Sequence, residues 1–129
     1  MYRYETHLHT SPVSKCGKAS VRESLEFYKE QGYDGVFITN HFLDGNINIK
    51  NSAPYAAKIE FYFSDYEEGV KIGRKIGLKV FAGIEMSYKG TDFLVYGLDK
   101  EWFLKNPQIM NMKKSVQLPF LRANGALVV

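Results

Sequence analysis

Several features common in other protein classes are scarce here. The 129 residues include one cysteine, Cys16, which excludes an intramolecular disulfide framework and suits a reducing compartment. No apolar run approaches the roughly 18 residues of a membrane helix, and no charged-then-apolar leader precedes the first strand-like segment. A soluble, cytoplasmic protein with no membrane partner is therefore expected. Seventeen basic and fourteen acidic residues leave a net charge of +3 with no basic run interleaved by aromatics, which argues against a nucleic-acid partner. Repeats, low-complexity tracts and linkers are absent, so residues 1–129 read as a single domain. A chain of this size can bury roughly 70% of its unfolded surface. At 45% hydrophobic and 24% charged, the composition is that of an ordinary globular protein, although nine Tyr and nine Phe make it aromatic-rich.

Histidine is also scarce, and its placement is informative. Two of the three histidines form His7-Leu8-His9, at the end of an apparent strand, Tyr2 to Leu8. Alternate strand residues point the same way, so the two rings can grip one metal ion. His41 ends a second apolar run, Gly35 to Thr39, and Glu85 ends a third, Leu78 to Ile84. Strand ends of this kind are where parallel α/β sheets carry their chemistry.

The rest of the chain alternates strands with helices. Ser20 and Glu23 form a capping-box pattern ahead of a helix with Val21, Leu25 and Tyr28 on one face, and Gly32 stops it. A loop from Asn40 to about Pro54 leads into a helix from about Ala56 to Ile76. Its expected buried face is Ile59, Tyr62, Tyr66, Val70 and Gly73, and Gly77 ends it. Strands Leu78 to Ile84 and Asp92 to Gly97, joined through Ser87 to Gly90, predict an antiparallel hairpin or tight turn. Pro107 is expected to open a last helix, and Pro119 to kink or break it. Trp102 and Phe103 read as satellite packing and Asp44 as a turn residue. Ala126 to Val129 reads as a buried strand cut off mid-run, or else a short terminal strand.

The segments Glu5-Thr6-His7-Leu8-His9-Thr10-Ser11, Ile38-Thr39-Asn40-His41 and Gly83-Ile84-Glu85 resemble, in order and spacing, motifs of the PHP family, named for polymerase and histidinol phosphatase. The resemblance covers nearly the whole chain. It implies the front segment of a distorted seven-stranded β/α (TIM-like) barrel, truncated at the C-terminus, so that residues 1–129 are an incomplete domain. It also implies a metal-dependent phosphoesterase with up to three divalent ions (Zn, Mn or Fe) at the barrel mouth, hydrolysing phosphate esters by metal-activated water. By this resemblance His7 and His9 hold the first metal, Glu85 bridges the first and second, and His41 binds the third. His7, His9 and Glu85 are then the catalytic centre.

The chain departs from the family pattern in three places. Where many members carry Asp or His after the first motif, this loop reads Ser14-Lys15-Cys16-Gly17. Cys16 is a candidate thiolate ligand or a plain loop residue. Lys15, and Arg22 on the following helix, are candidates for substrate phosphate or solvated charges. Asn40 stands where the family often has Asp, which keeps hydrogen bonding but removes charge from the tuning of His41. The family's later motifs, an Ala-His-Pro-like segment, a further histidine and an Asp-x-His, lie beyond Val129. Expected substrates are a phosphorylated small molecule or a phosphotyrosine-type ester, with histidinol phosphate, nucleotides and other small esters all open. The alternative is a non-catalytic metal-binding or structural module, or an inactive fragment of the enzyme. An unpaired apolar edge at Ala126 to Val129 carries an expectation of self-association.

Overall fold

The computed structural model describes residues 1–129. Strands β1 (Tyr4–Leu8), β2 (Gly35–Ile38), β3 (Lys79–Tyr88), β4 (Thr91–Tyr96) and β5 (Leu127–Val128) form one sheet in chain order. β1, β2 and β3 are parallel, whereas β3, β4 and β5 are antiparallel. Helix α1 (Val21–Glu30) links β1 to β2, and α2 (Tyr55–Ile76) links β2 to β3. After β4 come α3 (Lys100–Lys105), a 3-10 turn (Pro107–Asn111) and α4 (Lys114–Ala123).

The helices begin and end for local reasons. Ser20 accepts from the Glu23 amide at 3.1 Å while Glu23 accepts from the Ser20 amide at 3.2 Å, so the capping box of α1 is complete. Gly77 closes α2 in the left-handed region at φ 76°. The hairpin is antiparallel, as its short connection predicts. Its strands run further than expected and leave only Lys89 (φ 47°) and Gly90 (φ 80°) to turn the chain. α2 is 22 residues long, yet no helix is long and apolar enough to cross a membrane.

The sheet is curled into half a barrel. In a flat sheet β1 and β4 lie three ladder spacings apart, roughly 14 Å, further than a tyrosine side chain reaches. Yet the Tyr96 hydroxyl donates to the Thr6 carbonyl at 2.5 Å. Gly83, paired with Tyr96, permits this crossing. A Cβ at Gly83 would lie 2.9 Å from the Tyr96 ring and 2.9 Å from Thr39 Cγ2. Phe37 stands edge-on to Tyr96 and stacks on Phe81 at 4.7 Å, so aromatic side chains line the concave face. A groove of ≈ 560 Å³ runs along this face between Phe37, Leu94, Tyr96, Leu127 and Val129.

The convex face carries the core. Leu8, Val36 and Ile38 pack with Val21 and Leu25 of α1 and with Ile72 and Leu78. Ile84, Met86 and Val95 pack with Ile59, Tyr62 and Phe63 of α2 and with Phe42, Phe103, Ile109 and Leu121. This arrangement corrects five expectations. Phe103 is central rather than satellite, 1% exposed against Phe42 and Phe63, because α3 is capped by the Asp99 side chain at Trp102 N and turns Phe103 inward. The buried face of α2 includes Phe63, Asp65, Gly69 and Ile72, while Tyr66 and Val70 are only half-buried; the helix lies against both the sheet and α1, which rotates the contact stripe. α4 runs through Pro119 unbroken, since the carbonyl that loses its partner belongs to exposed Ser115 and can reach water. β5 is an exposed edge rather than a buried strand: Leu127 and Val129 are 63% and 67% exposed, with only β4 to pair with. Asp44 is more than a turn residue, because it forms an ion pair with Lys114 of α4.

Candidate metal centre

The parallel ladder between β2 and β3 resumes beyond Ile38 as a bridge between His41 and Glu85, which sets their side chains at one end of the sheet. β1 ends beside them. Its register against β2 shifts between Glu5 and Leu8, so simple alternation does not govern its last residues. His7 and His9 nevertheless converge, with Nε2 atoms 3.2 Å apart. Glu85 Oε2 lies 2.6 Å from His7 Nε2 and also contacts His9 Nε2. Bonds of 2.0–2.1 Å to a tetrahedral ion place neighbouring donors roughly 3.3–3.4 Å apart. Small side-chain rotations would therefore open this triangle around an ion.

A second donor set shares His9. Its Nδ1 faces Cys16 Sγ at 3.1 Å, and the donor atoms of His9, Cys16 and His41 lie within 4.8 Å of one another. His41 Nδ1 is buried without a hydrogen-bond partner and sits 4.0 Å from Glu85 Oε1. A buried imidazole nitrogen left unpaired is costly unless something binds it. Glu85, only 2% exposed, turns one oxygen toward His7 and His9 and the other toward His41, with no lysine or arginine beside it. Burial holds the His9 pKa below 6.5, partly opposed by Glu85, so the ring is neutral at pH 7 and has a lone pair to give. Two imidazoles, a carboxylate, a third imidazole and a thiol thus fit divalent ions.

The structure brings together His7, His9, His41, Glu85 and Cys16 of the residues singled out from the sequence. Lys15 is exposed in the same loop as Cys16. Arg22 is exposed on α1 and pairs with Glu26 at 3.5 Å. Asn40 does not tune His41 through its side chain. Its amide instead accepts from Thr10 N at 2.6 Å and donates to Thr10 Oγ1 at 3.0 Å.

Other residues at the site were not picked out from the sequence as site residues, although Tyr62 was expected in the core. Asp65 of α2 is 3% exposed and accepts from Thr10 Oγ1 at 2.8 Å and Val13 N at 3.1 Å. Burial raises its pKa, partly offset by these bonds. The buried Tyr62 hydroxyl donates to the carbonyls of Asn40 (2.8 Å) and Gly83 (2.7 Å). Burial, with Glu85 and Asp65 nearby, pushes its pKa well up, so it stays protonated and donates. Asp92 of β4 accepts from Ser87 Oγ at 2.8 Å, and its pKa is lowered by that bond and by His41 and His7. Hairpin register could have pointed to Asp92, which faces Ser87 two residues from Glu85. No comparable signal marks Asp65, an acidic residue in a charge-rich helix.

No protein-family model and no curated protein matches this chain. Among solved structures, it is similar to a protein from Bifidobacterium adolescentis named a "putative metal-dependent phosphoesterase", with a TM-score of 0.51 at 20% identity. The match covers 81% of this chain and 33% of that one. The chain thus spans about a third of that protein's length, and the likeness is one of fold.

Proposed function

We propose that this chain carries the metal-binding face of a metal-dependent phosphoesterase acting on phosphate monoesters. The observation that carries the reading is the convergence of His7 Nε2, His9 Nε2 and Glu85 Oε2 at one strand-end mouth, beside the unpartnered His41 Nδ1. The fold likeness to a protein named for metal-dependent phosphoester chemistry supports it, as do the PHP-like motifs.

His7, His9 and Glu85 would hold one ion, and His41, with Cys16, another. A bound divalent ion supplies Lewis-acid activation of water and neutralises charge on the phosphoryl oxygens. The residues themselves position and tune. Glu85, between the two donor sets, adds a buried negative charge to both. His7, half-exposed, leaves the mouth open to water and substrate. Lys15, on the loop carrying Cys16, supplies a cation for a substrate phosphate.

A second reading, a metal-binding module without turnover, rests on the donor count. Four strong donors and a thiol are few for as many as three ions, which each take four or more ligands. Elemental analysis after loading with zinc or manganese, followed by an aryl-phosphate assay, separates the readings. Metal retention with metal-dependent turnover is expected, and Glu85→Gln should abolish the turnover. Retention without turnover favours the module, and no retained metal sinks both.

A further inference from the structure

We propose that Tyr62 and Asp65 of α2, acting through Thr10 and Asn40, are positioning residues that fix the spacing of the metal donors. The inference rests on the metal-binding reading and deepens it. The two side chains lie on one buried face of α2, three residues apart. Between them they reach residues within two positions of His9, His41 and Glu85. Thr10, which follows His9, is held by Asp65 at its hydroxyl and by Asn40 at its amide. The Asn40 carbonyl, one residue before His41, takes a bond from Tyr62. The Gly83 carbonyl, two residues before Glu85, takes the second bond from the same hydroxyl. One helix therefore ties together β1, β2 and β3, the three strands on or just beyond which the donors sit.

Stability alone is a poor account of this arrangement. Asp65 is a buried carboxylate with no lysine or arginine partner, and its neighbours are a hydroxyl, an amide and a backbone N–H. A buried charge without a counter-ion is costly. Cations held by His9 and His41 would offset that cost through space. Groups that orient metal ligands in this way typically change affinity by about 10–100-fold when removed.

The test measures zinc affinity by competition with a chromophoric chelator, using the intact chain. Thr10→Val removes the hydroxyl at constant shape, whereas Thr10→Ser keeps it. Thr10→Val should bind zinc about 10–100-fold more weakly and Thr10→Ser like the wild type. Tyr62→Phe, which deletes one oxygen, should weaken binding similarly and shift the d–d bands of the cobalt-loaded protein. It carries the test by itself should Thr10→Val not fold. Wild-type affinity and unshifted cobalt bands in folded variants that merely melt lower would overturn the proposal, leaving Tyr62 and Asp65 as packing. A wild-type chain that binds no zinc would instead sink the metal reading on which it rests.

Discussion

Replacing Glu85 by Gln separates what this residue does for the fold from what it does for an ion. Gln keeps the shape and an acceptor oxygen for His7 and His9, and it removes a buried negative charge. In the metal-free chain the lost charge–imidazole attraction and the relieved desolvation oppose each other, so stability should move by no more than about 1 kcal/mol. With zinc present the two proteins should part. A unit charge 4 Å from another is worth about 4 kcal/mol at an effective dielectric of 20, equivalent to roughly 10³ in affinity. At a zinc concentration 100 times the wild-type Kd, binding stabilises the wild type by about 2.7 kcal/mol, or on the order of 10 °C in Tm for a chain of this length. The variant, then far below its own Kd, gains less than about 0.1 kcal/mol and should show no shift. Thermal melts of both proteins, with chelator and with zinc, provide the assay. Equal zinc-induced shifts would refute the placement of Glu85 among the donors. A metal-free variant melting many degrees below wild type would show that the carboxylate is chiefly structural.

Three further outcomes are expected. Cobalt-loaded wild type should show a strong thiolate charge-transfer band that Cys16→Ser removes, because Cys16 Sγ lies 3.1 Å from His9 Nδ1; its absence in wild type would make Cys16 a bystander. Asp65, with its pKa raised above 3.8 by burial, contributes stability that is fully present below the unfolded value and is lost as pH rises through the folded one. The Tm of metal-free wild type relative to Asp65→Asn should therefore fall as pH rises above the ordinary carboxylate range, and a flat difference would contradict the shift. Gly73→Ala should cost about 1–3 kcal/mol in urea unfolding, since the new Cβ would lie 2.4 Å from the Leu78 carbonyl oxygen; an unchanged midpoint would show that α2 is free to move off β3.

Much of this architecture was legible along the chain because it is local. The capping box at Ser20 and Glu23, the left-handed stop at Gly77 and the tight turn at Lys89-Gly90 are decided by residues a few positions apart. The donors were legible for a related reason. Imidazoles and a carboxylate at the ends of apolar runs fall at one end of any parallel sheet those runs build, and His7, His9, His41 and Glu85 do so here. Periodicity could not reveal contacts made across the fold. Phe103 becomes core only because α3 folds back onto α2 and Phe42, and Leu127 and Val129 are exposed where they line the open concave groove, while Ala126 and Val128 pack toward the core. The curl depends on Gly83 letting Tyr96 cross β3 to Thr6, a contact spanning 90 residues. Asp65 was invisible for the same reason. Local propensity and amphipathicity are properties of neighbouring residues, whereas the partners that make a buried carboxylate meaningful, Thr10 and Val13, lie more than fifty residues away and meet it only once the sheet and α2 have packed.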